Sequence, residues 1–193
     1  MGTKVLILGG VRSGKSRLAV ELAGKKGKSV LFVATGEAGD AEMASRIRAH
    51  RRSRPAHWRT LESPLHVGRS LSRAIGDADV VVVDCITLLV SNIIHDGAGV
   101  DVDVAMRANE RKVTGEIKSL IKCMNASRAD FIVVSNEVGL GIMPDNELAR
   151  YYGDLLGKAN RLLAEASDEV YLMVAGLRLP LKKKAADRGG TGR

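Results

Sequence analysis

A chain of 193 residues is long enough to bury one sizeable core and too short for two domains of ordinary size. No apolar run approaches the ~18 residues of a membrane span, and the N-terminus enters Val5-Leu6-Ile7 without a signal-peptide pattern, so one cytoplasmic domain with no membrane insertion is expected. The net charge of +8 invites a nucleic-acid reading, yet half of it sits in residues 182–193, where five positive and one negative side chain read as a disordered, solvated tail after a catalytic domain spanning 1–181.

The first predicted strand, residues 4–8, runs directly into Gly9-Gly10-Val11-Arg12-Ser13-Gly14-Lys15-Ser16, a full G-x-x-x-x-G-K-[ST] phosphate loop, and a predicted helix over 15–25 comes next. Glycines let consecutive backbone N–H groups wrap phosphate oxygens, Lys15 reaches the β- and γ-phosphates, and the Ser16 hydroxyl is a ligand for Mg²⁺. Nucleoside-triphosphate binding is therefore expected. A second strand is predicted over 29–34 and a second helix over 41–51. On that helix Met43, Ile47 and His50 share one face at i, i+4 and i+7, with Arg46 one turn before His50. An imidazole on so cationic a segment offers a nitrogen lone pair for attack on phosphorus, and guanidinium groups hold phosphate oxygens bidentately. Taken alone, the same pattern also describes a packed histidine on a solvated helix.

A helix over 64–75 leads to the run 80–83, Val-Val-Val-Val, which Asp84 ends. A carboxylate at the C-terminal end of a central strand falls beside the phosphate loop in an open α/β sheet, making Asp84 the second candidate on the Mg²⁺ side with Ser16. Cys85 and Cys123 have no metal-ligand spacing and read as bystander thiols. Asp96-Gly97-Ala98-Gly99 marks a turn before a long helix over 104–125, succeeded by a strand over 131–135, a Gly/Pro loop from Gly139 to Pro144, a helix over 147–166 and a strand over 170–174. Near-continuous Val/Ile/Leu strands alternating with helices predict a mostly parallel sheet buried on both faces. Ser135-Asn136-Glu137-Val138-Gly139 is expected on the same sheet edge as the phosphate loop, with Glu137 either orienting a reacting group or satisfying loop N–H groups. His57, His66 and His95 lack motif support and read as surface or packing residues.

Together these stretches resemble the bifunctional adenosylcobinamide kinase/adenosylcobinamide-phosphate guanylyltransferase family of cobalamin biosynthesis. The resemblance rests on the phosphate loop, Ala34-Thr35, Arg46-Ile47 with His50 and Arg54-Pro55, Trp58, Asp84-Cys85-Ile86-Thr87 with Ser91-Asn92, the Ser135–Ile142 segment with Pro144, Leu148-Ala149-Arg150 with Tyr152, Asp154, Gly157 and Asn160, and Val174-Ala175-Gly176-Leu177. It covers nearly the whole chain. It implies a RecA-like three-layer phosphate-loop fold, a homotrimer, and two reactions: γ-phosphoryl transfer from ATP or GTP to adenosylcobinamide, then transfer of GMP from GTP to adenosylcobinamide phosphate by way of a guanylylated histidine. His50 occupies that histidine's position. The implied guanine-nucleotide contacts fall on Gly9 to Ser16, on Ala34, Thr35 and Gly36, on Arg51, Arg52, Ser53 and Arg54, on Glu62 and on Asp84, with Ser16 and Asp84 toward Mg²⁺.

Two other readings fit the phosphate loop: a RecA-like ATPase acting on nucleic acid, and a plain small-molecule kinase in which His50 is structural. Against the first stands composition. Base stacking needs aromatic platforms, and the six aromatic residues, Phe32, Trp58, Phe131, Tyr151, Tyr152 and Tyr171, do not interleave with a basic stripe. No nucleic-acid partner is therefore expected.

Overall fold

The computed structural model describes residues 2–27, 29–52, 54–95 and 102–183. In chain order the elements are β1 (Lys4–Gly9), α1 (Lys15–Lys26), β2 (Val30–Ala34), α2 (Ala41–Arg52), β3 (Arg59–Glu62), α3 (Val67–Ala74), β4 (Val80–Asp84), α4 (Ile86–His95), α5 (Val102–Ala126), β5 (Asp130–Val134), α6 (Glu147–Ala166), β6 (Glu169–Val174) and β7 (Leu177–Lys182). One seven-stranded sheet has the order β3-β2-β4-β5-β1-β6-β7 and is parallel throughout except for β7, which returns antiparallel along β6.

Successive side chains on a strand point to opposite faces, and both faces of this sheet are covered. Leu6, Leu31, Val33, Val81, Val83, Phe131 and Val133 pack with α3, α4, α5 and α6 on one face. Their neighbours Val5, Ile7, Val30, Phe32, Val80, Val82, Ile132 and Val134 pack with α1 and Trp58 on the other. That division explains why the strands read as continuous apolar runs. The mostly parallel sheet flanked by helices on both faces, expected from the sequence, is observed.

Three elements went unpredicted. β3 is the four-residue Arg-Thr-Leu-Glu at the sheet's edge, too short and too polar to signal itself. β7 alternates leucine with Arg178, Pro180 and Lys182, a pattern with a proline that only an edge strand tolerates. α4 starts at Ile86, with only Cys85 between it and Asp84 and no intervening turn signal, so its apolar residues merge into the β4 run. The helix predicted over 64–75 is shorter, because His66 adopts a left-handed conformation at its N-cap (φ 55°) and Ile75 is its C-cap. Lys182, assigned by sequence to the tail, is the last residue of β7, and its Nζ donates to the carbonyls of Ala164 and Glu165 at the end of α6. The rest of the tail from 184 and the turn at 96–99 lie outside the described residues.

Candidate nucleotide and phosphoryl-transfer site

The phosphate loop joins β1 to α1 at the sheet's C-terminal edge. Gly9 has φ 149°, and a Cβ there would come within 2.5 Å of the Met173 carbonyl oxygen; Gly14, at φ 97°, is the N-cap of α1. Both conformations favour glycine, and the close approach at Gly9 excludes any side chain. With no capping side chain on Gly14, the first N–H groups of α1 face outward with the positive end of the helix dipole, which is the arrangement that binds anions. Lys15 is nearly buried, and its Nζ donates to the Gly10 carbonyl at 2.6 Å. Desolvation holds its pKa below the ordinary lysine value of 10.5, with Cys85 and Asp84 pulling the other way. Ser13 is fixed from both sides: its N–H donates to Gly10 O and its carbonyl accepts from Gly176 N.

Asp84 ends β4, which is separated from β1 by β5 alone. Its carboxylate is 9% exposed, and Oδ2 is buried without a hydrogen-bond partner. Burying a charged oxygen in that state is costly, so the position fits a cation that satisfies it. The donor set of one carboxylate and the Ser16 hydroxyl suits Mg²⁺, which takes few protein ligands and keeps water and phosphate oxygens. Among the described residues there is no group of three or more His, Cys, Asp or Glu that could hold a metal ion.

α2 brings His50 to the same place. His50 Nδ1 lies 3.8 Å from Asp84 Oδ2, with the imidazole half-exposed. The helix is seated through Gly36, where an added Cβ would meet Leu88 Cδ1 at 3.2 Å and Ile47 at 3.5 Å. Past the end of α2, the Arg54 guanidinium stacks 3.7 Å above the Phe32 ring with Nε and Nη1 buried and unpartnered. Burial lowers its pKa, an effect that the nearby Asp84 charge opposes. Arg51 forms an ion pair with Glu62, at the end of β3. Thus Lys15, His50, Arg51, Arg54, Glu62 and Asp84, scattered along the first half of the sequence, converge on one edge. Arg52 is exposed, while Ser53 and the side chain of Arg46 lie outside the described residues.

Thr35 is fully buried and braces the site from beneath. Its Oγ1 donates to Cys85 O at 2.7 Å and accepts from Cys85 N at 2.8 Å, and its own N–H donates to Asp84 O. Asn92 Nδ2 in turn donates to Thr35 O at 2.8 Å and to Pro64 O at 3.0 Å, tying the ends of β2 and β3 to α4. A second set of contacts joins the end of β5 to α4 and α6. Asn136 N donates to Thr87 Oγ1, Tyr152 OH to Thr87 O, and Asn160 Nδ2 to Asn136 O. Burial pushes Tyr152 up to about 12, so it remains a donor. Asn92, Thr87, Tyr152 and Asn160 belong to the stretches that carry the family resemblance, but no local pattern assigns them these bracing contacts. Burial also pushes the Cys85 thiol up to about 11, which leaves it inert at neutral pH. Glu137 N donates to Gly9 O, and its Oε1 accepts from Gly139 N, so this side chain shapes the loop after β5.

A parallel sheet with a phosphate loop at its edge, a buried carboxylate on the next strand but one and a histidine beside that carboxylate define a phosphate-loop nucleotide-binding enzyme. Residues 5–181 match the family described as cobinamide kinase / cobinamide phosphate guanyltransferase, and the chain belongs to that family. It is similar to the bifunctional adenosylcobalamin biosynthesis protein CobU of Escherichia coli, 41% identical over 92% of this chain and 99% of that protein. The corresponding protein of Pseudomonas aeruginosa, CobP, is 42% identical over 92% of this chain and 96% of that protein, and that of Salmonella typhimurium, CobU, 40% over 92% and 99%. Among solved structures, the RadB recombinase superposes with a TM-score of 0.47 at 17% identity, over 89% of this chain and 74% of that one. The chain is a cobinamide kinase and cobinamide-phosphate guanylyltransferase, and the nucleic-acid ATPase reading is not favoured.

Proposed function

We propose that the two transfers take place at this sheet edge on adenosylcobinamide and its phosphate, and that His50 carries the guanylyl group between them. In the kinase step an alcohol oxygen of adenosylcobinamide attacks the γ-phosphorus of ATP or GTP; the new P–O bond forms as the bond to the β-phosphate oxygen breaks, the nucleoside diphosphate departs with that electron pair, and the alcohol proton passes to solvent. In the second reaction a nitrogen of His50 attacks the α-phosphorus of GTP and pyrophosphate leaves. A phosphate oxygen of adenosylcobinamide phosphate then attacks the same phosphorus, the N–P bond breaks, and the imidazole is regenerated with adenosylcobinamide-GDP as product. Splitting the transfer avoids a direct displacement between two highly charged anions.

The observation that carries this reading is the 3.8 Å approach of His50 Nδ1 to Asp84 Oδ2. It turns Nδ1 toward a carboxylate, which orients the ring and directs Nε2 to the phosphorus, as a carboxylate does for catalytic histidines elsewhere. Lys15 and the N–H groups of the loop offset charge on the leaving phosphates, and Arg54 lies where its unpartnered guanidinium nitrogens can donate to phosphate oxygens. Ser16 and Asp84 would hold Mg²⁺, which supplies charge neutralisation on the phosphate oxygens when bound. Glu62 and Arg51 supply a carboxylate and a guanidinium suited to reading guanine and its phosphates. A homotrimer accords with the apolar surface of β7, where Leu177, Leu179 and Leu181 are all exposed.

The deciding experiment incubates the protein with Mg²⁺ and GTP labelled at the α or the γ position, without corrinoid, beside His50→Ala. Acid-labile, alkali-stable protein-bound label from α-labelled GTP alone, absent in His50→Ala, is expected. No label under conditions where GTP binds would sink the covalent route and leave a kinase with a structural His50.

A further inference from the structure

One phosphate loop must present the γ-phosphorus in one reaction and the α-phosphorus in the other. A cavity outside the Asp84–His50 site bears on how. It lies against the opposite rim of the loop, is about 280 Å³ in volume, and is walled by the loop residues Gly10 to Ser13, by Glu137 and Leu140 after β5, and by Val174 and Ala175 at the tip of β6. Because β6 flanks β1 on one side while β5 and β4 lie on the other, the wall of this cavity formed by Val174 and Ala175 stands across the phosphate loop from the Asp84–His50 pair.

We infer that this cavity is a second nucleoside subsite, which holds the base and ribose of the phosphoryl donor during the kinase step, while the Arg54–Glu62 side holds guanosine during guanylyl transfer. This assignment, which rests on the two-reaction reading, accounts for how a single loop serves both. A nucleotide whose base lies toward β6 runs across the loop and points its γ-phosphate past Lys15 to the Asp84 side. A nucleotide whose base lies toward α2 and β3 runs the other way and sets its α-phosphate beside His50, with the outer phosphates on the loop.

Three observations favour a nucleoside as occupant. The cavity is walled by the phosphate loop itself, so a group attached to loop-bound phosphates reaches it. Its lining is mostly apolar, with Val11 and Leu140 more than three-quarters exposed, which provides surfaces for the flat face that every base carries. The carboxylate within it, Glu137, repels phosphate but accepts hydrogen bonds from ribose hydroxyls, and its Oε1 is already anchored by Gly139 N. At about 280 Å³ the cavity is at or below the roughly 300–1,000 Å³ of drug-sized ligand sites, a scale nearer a nucleoside than a corrin macrocycle. The polar lining side chains are Arg12, Ser13 and Glu137; with Glu137 turned to the ribose, no further carboxylate or amide lines the cavity to tell adenine from guanine, so this subsite accepts ATP and GTP alike, whereas Glu62 on the α2 side selects guanine.

The test is photo-crosslinking of the wild-type protein with 8-azido-ATP and with 8-azido-GTP in Mg²⁺, then peptide mapping, which reads position whether or not either reaction proceeds. The azidoadenosine adduct is expected within 137–143 or 172–177, and the azidoguanosine adduct both there and within 50–62. Adenosine adducts confined to 50–62 would overturn the second subsite. Leu140→Asn and Val174→Asn serve as kinetic companions, with sedimentation to verify that they assemble as the wild type does. Each is expected to raise the KM for ATP in the kinase reaction about tenfold, equivalent to about 1.4 kcal/mol, and to leave α-GTP labelling of His50 unchanged. An equal loss in both reactions, or in neither, would count against the subsite. Failure of the wild type to phosphorylate or label at all would instead reject the two-reaction reading, with the crosslink map still reporting where adenosine binds.

Discussion

Asp84 is the residue through which the site is coupled, since its charge acts on Lys15 and Arg54, its Oδ2 lies 3.8 Å from His50 Nδ1, and that oxygen has no hydrogen-bond partner. Asp84→Asn keeps the shape and removes the charge, and both transfers are expected to fall by about 100-fold or more, the scale of a lost transition-state electrostatic contact. Steady-state assays of each reaction with its own substrate check this, and loss of one activity alone would remove Asp84 from a shared role. Lys15 gives a prediction of the opposite kind for stability. Burial holds its folded-state pKa below that of the unfolded chain, so the unfolded chain binds the proton more tightly. Protonation therefore opposes folding, and stability gains as pH rises from the folded value toward 10.5. Lys15→Met removes that cost along with phosphate binding. It is expected to be inactive yet to melt no lower than the wild type at pH 7, with a weaker rise in melting temperature as pH climbs toward 10.5. A lower melting temperature at pH 7 would mean the Gly10 hydrogen bond outweighs desolvation.

At the scale of elements, two close packings decide where these residues end up. A Cβ on Gly68 of α3 would lie 2.5 Å from the Ser119 backbone in α5, nearer than real atoms come. Gly68→Ala must force the helices apart, at a cost of about 1–3 kcal/mol in denaturant melts, and an unchanged midpoint would show that α3 shifts freely. Asn92 is the tie between α4 and the ends of β2 and β3. Asn92→Ala leaves the Thr35 and Pro64 carbonyls without this partner, and about 1–3 kcal/mol of stability is expected to go with it. As α2 is seated against this same corner, guanylylation of His50 should fall more than phosphoryl transfer does. Equal loss in both reactions would place Asn92 in global stability alone. The difference between these elements and the well-read ones is physical. β1, β2, β4, β5 and β6 announce themselves because burial on both faces demands apolar residues at nearly every position. β3 and β7 lie at the sheet's edges, where one neighbour and solvent relax that demand, and α4 comes too soon after β4 for its 3.6-residue period to stand apart. The phosphate loop was legible because its function needs glycines, a lysine and a hydroxyl in one local stretch. The Thr35–Cys85 and Asn136–Thr87–Tyr152 contacts were not, since each joins residues whose separation in sequence carries no period.

At the scale of the whole molecule, β7 and Ile142 present exposed apolar side chains among the described residues. Ile142 is 98% exposed and Leu177 75%, and β7 is an edge strand whose outer backbone groups await a neighbour. If copies of the chain cover this face, Leu177→Asp combined with Leu179→Asp is expected to convert the assembly to monomers in sedimentation equilibrium while leaving the melting of each chain cooperative. A wild type that sediments as a monomer would remove the oligomer from the reading. No helix among the described residues is long and apolar enough to cross a membrane.

By itself the sequence determined the phosphate loop, the alternation of buried strands with helices, and, through motifs spread along the chain, the family. These are properties that a local stretch must encode, because backbone conformation, two-sided burial and phosphate contact each impose their demands on neighbouring residues. Only the tertiary structure decided which of the remaining groups meet. The strand order of the parallel sheet left a single strand between β4 and β1, and α2 lies over the same edge, so that His50, which by pattern alone was as well explained as a surface histidine, stands beside a buried carboxylate. The same topology opened a second cavity on the far rim of the loop, built from residues after β1, after β5 and at the tip of β6 that no window of sequence brings together.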